Sequence, residues 1–301
     1  MDSHSFYAEH SRFTDPGAMT GYIDDLPRDI ARVQRIVRDL VLHYRADDPG
    51  AHGVPAARLV EVDTRYAEGI LRRLFELDQR PLTEKRRPAT RILGCCRDFT
   101  VLCLTMLRQH SIPARARVGF ATYFVNGLRL DHEVAEVWDA HQARWRLVDP
   151  ELGDEHVDPN DGVHVDPLDV PRDRFLVGGD AWLKCRQGAV DPETFLVDPD
   201  LHESDTRGWP YLRHNLIHDL AALNKVEMLL WDEWGLIQQE GTSDTDLELL
   251  DRIAHTTQSM SVPLDEVQGW YEADTRLRVP RTVMSYSPAS SGPVEVTIDR
   301  T

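Results

Sequence analysis

From Phe99 onward, apolar side chains fall at Leu102, Cys103, Met106 and Leu107, the three- and four-residue steps of one helical face. Val101 and Leu104 carry the apolar character round the flanks. A helix that is apolar nearly all round must be covered on every side, so it belongs at the centre of a fold. Ser111-Ile112-Pro113 stops it. Residues 114–124 then alternate, with Ala116, Val118 and Phe120 on one side and Arg115 and Arg117 on the other, which predicts a strand. Asn126-Gly127 is a turn signal. The pattern predicts two further strands over 131–138 and 144–149, with residues 140–143 as the hairpin turn between them. A buried helix followed by an antiparallel meander gives the α+β class.

Around this centre the chain reads as one domain over 25–284. Helical spacing predicts helices over 26–44 and 60–77, and later over 181–187, 211–228, 244–258 and 264–273. The core runs from about 60 to 150, an acidic Asp/Pro/Gly-rich loop covers 151–174, and a helical extension covers 175–284. Residues 1–24 are expected as a loosely attached arm and 285–301 as a mobile tail. Lys and Arg number 34 against 51 Asp and Glu, a formal charge of −17. That balance argues against nucleic acid as a partner, which requires basic surface, and against a polybasic membrane patch. No run of 18 uncharged apolar residues suggests a membrane span, and the polar start lacks a signal-peptide pattern. Cys95, Cys96, Cys103 and Cys185 make a poor disulfide framework and suit a reducing, cytoplasmic setting.

Gly94-Cys95-Cys96-Arg97-Asp98-Phe99 places a thiol at the start of the buried helix. Free backbone N–H groups and the helix dipole stabilise a thiolate there. A buried thiol without a base is inert, and free cysteine is commonly just a core residue. His132, at the start of the middle strand, is the candidate base. Asp149, at the end of the next strand, is the candidate carboxylate that fixes the imidazole. Pairing 138 with 144 sets 132 opposite 150, next to Asp149.

The segment GCCRDFTVLCLTMLRQHSIPARARVGF, followed by DHEVAEVWDAHQARWRLVDPEL, resembles the transglutaminase-like superfamily of papain-type cysteine enzymes. The family pattern is Gly-x-Cys-x-Asp-Phe, a Gly-Ile-Pro-Ala-Arg-like helix end, a His-bearing strand ending in Trp, and a Trp…Asp-Pro strand. Ser111 stands where the family more often has Gly. The resemblance implies a transglutaminase-like or papain-like core with additional helices at both ends. It implies Cys96 as nucleophile, with Cys95 in the variable position, His132 as base and Asp149 as acid. The chemistry it implies is acyl transfer at an amide or peptide bond through a thioester, without a cofactor, metal or calcium loop. The Cys96 N–H would hold the oxyanion with a second donor: Arg97, Trp138 or a residue just upstream of Gly94. Glu133 follows the histidine where many relatives carry an aromatic or small residue, which would alter the entrance to the site. Two other classes remain open: a non-catalytic binding or scaffold protein that keeps the fold, and a small-molecule amidase or acyltransferase of a biosynthetic pathway.

Other residues have weaker claims. His156, Asp158, Asp161, His164 and Asp166 are of metal-ligating type but lack a fixed spacing, so they read as a solvated loop or a lid following Asp149. His214 and His218 lie four apart without an evident third ligand. Asp98 suits the first helical turn, pairing with Arg115 or Arg117. Cys95 and Cys103 read as structural and Cys185 as a buried filler. The arginines between 85 and 117 would help hold Cys96 as a thiolate, or favour a negatively charged substrate.

Overall fold

The computed structural model describes residues 2–298. Its first half runs α1 (Ser3–Ala8), α2 (Ile30–Arg38), β1 (Val41–His43), α3 (Ala67–Leu77), β2 (Ile92–Gly94) and α4 (Cys96–Gln109). The sheet strands follow: β3 (Ala114–Ala121), β4 (Arg129–Asp139), β5 (Arg144–Val148) and β6 (Phe175–Val177). The rest is α5 (Gly178–Arg186), β7 (Phe195–Leu196), α6 (Gly208–Leu223), β8 (Asp232–Glu233), α7 (Asp244–Thr257), α8 (Leu264–Ala273), β9 (Thr282–Ser285) and β10 (Val294–Thr297). The class is α+β.

Every side chain of α4 from Cys96 to Arg108 is buried. At its start the Cys95 N–H donates to Asp98 Oδ2 at 2.9 Å, so the first-turn acid caps the helix. Asp98 pairs with Arg97 rather than with Arg115 or Arg117. At its end Ser111 takes the left-handed conformation, φ 56°, that glycine adopts more easily. This gives the Gly-to-Ser departure a modest strain cost.

The main sheet has the order β5-β4-β3-β6, antiparallel throughout, with β7 pairing parallel to the start of β4. Its Ala116, Val118, Ala135 and Val137 pack in one cluster with α4. In the β4–β5 hairpin, Asp139 rather than Trp138 faces Arg144, with Ala143 left-handed in the turn at φ 50°. The ladder is therefore one residue out from the expected register and ends at Ala135↔Val148.

Several expected elements differ. The helix expected over 26–44 ends at Arg38, and Val41–His43 instead pairs parallel with Ile92–Gly94. The Leu40-Val41-Leu42 run is buried at every position, which a strand between packed layers requires and an amphipathic helix end does not. The helix expected over 60–77 begins only at Ala67, after a 3₁₀ segment over Ala56–Asp63. Of the expected loose arm over 1–24, residue 1 lies outside the described residues, and the rest is packed down: Tyr7 and Phe13 are fully buried, and Tyr7 Oη donates to Leu223 O at 2.9 Å. The segment expected as a mobile tail, 285–301, carries the last residue of β9 and all of β10, which pair as a hairpin that β8 extends; residues 299–301 of that expectation lie outside the described residues.

The extension is fastened to the sheet by buried charge. Arg117 makes a bidentate contact with Asp219 of α6 at 2.9 and 2.8 Å, reaches Thr257 O of α7 at 2.6 Å, and meets Glu136 at 3.2 Å. Glu136 also accepts from Arg115 at 2.6 Å and from Arg172. Asp219 Oδ1 takes the Val118 N–H at 3.0 Å, satisfying β3 just before its pairing with β6 begins. Removing one partner of such a cluster strands a buried charge. Asp219→Ala is therefore expected to cost on the order of 3–5 kcal/mol in urea unfolding. A loss below about 1 kcal/mol would show that the cluster is not what joins α6 to the sheet.

Candidate active site

Cys96 opens α4 immediately after β2, so its backbone N–H is one of the groups without an intrahelical acceptor. His132 sits on β4 opposite Gly119 of β3, just beyond the end of the β4–β5 ladder. Asp149 leaves β5 directly: its N–H donates to Pro167 O at 2.8 Å, and its carboxylate turns back to His132. His132 Nε2 lies 2.8 Å from Asp149 Oδ2. That oxygen also accepts from Tyr123 Oη at 2.7 Å, while Oδ1 accepts the N–H groups of Glu151 and Leu152 at 2.9 and 3.3 Å. A carboxylate with four donors holds its charge and orientation, and its bond to Nε2 leaves Nδ1 as the imidazole's open nitrogen.

Cys96 and His132 line one cavity of about 380 Å³, together with His43, Tyr44, Arg45, Phe124, Asp131 and Glu151. Val197, Asp198 and Asp200 close its far side. Cys96 is only 6% exposed, so small groups reach it through this cavity rather than across an open surface. A second cavity of about 370 Å³ shares Tyr44, Arg45 and Val197 with the first and continues past Glu203, Asp205, Glu233 and Trp231.

The electrostatics describe a neutral resting thiol. The contact with the Cys95 thiol, then burial, then neighbouring negative charge including Asp131 and Glu151, push Cys96 well above the ordinary value of 9.0. Burial alone would lower His132, but the charge and hydrogen bond of Asp149, with Glu151 and Asp131, raise it above 6.5. Burial opposes ionisation of Asp149 as well, yet His132 and Tyr123 hold it below 3.8. Glu151 is pushed up to about 8, first by burial, and Oε2 has no partner. Burial lifts Asp131 to about 6 against hydrogen bonds from Tyr211 and Asn215.

Three candidates for substrate support stand elsewhere. Arg97 is fully buried and donates to Glu227 O at 2.6 Å and to Arg65 O at 2.5 Å. Glu133 packs on the α4 side of β4, where burial first of all pushes it well above 4.5. Burial opposes its ionisation there, and it does not border the cavity. Trp138 lies against His4 and Trp145 at the hairpin end of the sheet. The arginines expected to hold a thiolate are likewise turned away. Arg86 reaches Leu74 O, Arg91 pairs with Asp39 and Arg108 with Glu227. Of the 151–174 loop only Glu151 borders the cavity, whose lining otherwise includes Val197, Asp198 and Asp200. His156 is engaged with Tyr123 O, His164 with Asp154 O, and Asp158 and Asp161 with Arg174. His214 stacks between Tyr211 and His218, and His218 meets Asp232 O at 2.9 Å.

The residues that sequence reasoning missed are His43, Tyr44 and Arg45. Their signal was the apolar run before them, which suits a buried strand as well as a helix end. Tyr123, Tyr211 and Asn215 gave no local signal, because each acts through a partner distant in sequence.

Residues 76–150 match the family model described as the transglutaminase-like superfamily. None of the curated proteins matches the chain. Among solved structures, a candidate cysteine protease from Cytophaga hutchinsonii is 15% identical with a TM-score of 0.33. The match covers 59% of this chain and 46% of that protein, so it spans less than half the length of its neighbour.

The coupled pair sets a pH dependence. The His132 contribution to stability is fully present below its unfolded value near 6.5 and is lost as pH rises through the higher folded value. That of Asp149 is present above about 3.8 and is lost as pH falls through its lower folded value. Asp149→Asn removes the main charge that offsets burial. NMR titration is expected to place His132 above 6.5 in the native protein and below it in the variant.

Proposed function

The core of this chain belongs to the transglutaminase-like superfamily, and we propose that the protein is a cysteine enzyme acting on an amide bond through an acyl-thioester on Cys96. His132 Nδ1 takes the thiol proton as Sγ attacks the amide carbon. The C–S bond forms, and the carbonyl oxygen becomes an oxyanion facing the Cys96 N–H at the helix start. Imidazolium then gives its proton to the leaving nitrogen, the C–N bond breaks, and the amine departs. Water or a second amine attacks the thioester and returns the thiol. Asp149 stays ionised throughout and stabilises the imidazolium.

The observation that supports this reading most is the 2.8 Å His132–Asp149 contact in the wall of the cavity that exposes Cys96. A neutral resting thiol suits a site in which the base acts only once substrate is bound. The burial of Cys96, only 6% exposed, favours a small amide or an extended peptide end over a folded protein, and hydrolysis over protein crosslinking. The carboxylates along the continuing cavity favour a cationic substituent on the substrate, reversing the expectation of a negative one. The same burial makes a small-molecule amidase or acyltransferase the reading closest to the first. A non-catalytic scaffold is the more distant alternative. Four free cysteines fit work in the cytoplasm.

The test is turnover of a panel of small amides and peptide amides, with intact-mass detection of the acyl-enzyme. Cys96→Ala is expected to reduce turnover by at least ~10³-fold and to abolish the mass adduct. Cys95→Ala is expected to retain the adduct. An adduct that survives Cys96→Ala would assign the nucleophile elsewhere.

A further inference from the structure

We propose that His43 supplies the second donor of the oxyanion hole, its Nε2–H facing the carbonyl oxygen of a substrate bound at Cys96. This rests on the acyl-transfer reading above and adds a catalytic residue to it.

Three independent features converge on His43. The first is placement. β1 runs parallel to β2 with His43 opposite Gly94, and the Tyr44 N–H donates to Gly94 O at 2.9 Å. The segment carrying His43 is thereby clamped beside the turn into α4, and the imidazole lines the cavity with Cys96 and His132.

The second is the tautomer. Nδ1 accepts two backbone N–H groups, from Arg45 at 3.2 Å and from Ala46 at 3.0 Å. A ring nitrogen that accepts twice carries no proton, so in the neutral ring the hydrogen is on Nε2. Among the described residues no protein group is hydrogen-bonded to that Nε2–H.

The third is charge. Burial, then the charges of His132 and Arg45, hold His43 down at about 3. It stays neutral wherever His132 titrates, so it does not compete as the base. A neutral imidazole held as a fixed donor is an established way to polarise a carbonyl. The other proposed donors, Arg97 and Trp138, do not border the cavity.

The step moves no proton through His43. As the Sγ–C bond forms, the carbonyl π pair moves to oxygen, which accepts from the Cys96 N–H and from His43 Nε2–H. On collapse the pair returns and the leaving group departs.

Two reactions of the same thiol separate this role from a structural one. Acylation by p-nitrophenyl acetate forms an oxyanion and releases p-nitrophenolate, whereas alkylation by iodoacetamide displaces iodide without one. His43→Ala is expected to slow acylation by ~10²–10³-fold while leaving alkylation within about threefold of the native rate. His43→Gln, whose carboxamide still donates, is expected to recover much of the acylation rate. His132→Ala is expected to slow both reactions. Unchanged acylation in His43→Ala, or an equal loss in both reactions, overturns the assignment. Native-rate acylation of a Cys96→Ala variant overturns the Cys96 reading itself, and the role of His43 with it.

Discussion

Complete burial of α4 is the constraint from which the rest of the architecture follows. A helix with no solvent face needs a wall on each side. The sheet supplies one wall through Ala116, Val118, Ala135 and Val137. α2 and α3 supply another with Val33, Val37, Ile70 and Leu74. Ala222 and Leu230, from the far half of the chain, join the same cluster. The outer segments are therefore not ornaments on a self-sufficient core. Phe13 lies under the Arg97 guanidinium, and Tyr7 is bonded to the end of α6. The first residues and the C-terminal helices meet over the buried machinery.

Burying this helix also explains the use of charge. Arg97, Arg108, Arg115 and Arg117 stand in or beside a dry interior, and each must end on a carboxylate or carbonyl. Arg108 finds Glu227, and Arg117 finds Asp219 and Glu136. The leading influences on the Cys96 thiol are Cys95, burial, Asp131 and Glu151 rather than these guanidinium groups. What remains near Cys96 is acid: Asp131, Glu151, Asp198 and Asp200, with Arg45 tied to Asp198 at 3.0 Å.

The legible parts of the sequence were those set by local pattern. The apolar stripe of α4, the alternation of β3 and the turn at 140–143 depend on neighbours a few residues away. The meeting of His132 and Asp149 was legible from strand order, although the register was off by one and Asp149 reaches His132 from outside the ladder. β1 was read as helix because Leu40-Val41-Leu42 fits either period when buried on both faces. Arg97 and Glu133 were misjudged because a charged residue next to a motif looks solvent-facing. Burial pairs the first with backbone carbonyls and opposes ionisation of the second. The roles of Tyr123, Tyr211 and His43 are tertiary and have no counterpart in local spacing.

A site that keeps its thiol neutral, its histidine close to a fixed carboxylate and acids in its walls is, on the proposed reading, poorly suited to indiscriminate reaction. The thiolate would be opposed by burial and by Asp131 and Glu151 until some positive or polar group enters. A cationic substrate would offset those carboxylates and lower the cost of the Cys96 charge in the same step. Activation and selection would then share one cause, the charge that the ligand brings into the cavity. The second cavity, with Glu203, Asp205 and Glu233 beyond Tyr44, extends that field away from the thiol. Glu233 is raised to about 7, first by burial and then by Asp205. Asp205 thus opposes ionisation of Glu233, and a cation beside the pair would offset that opposition.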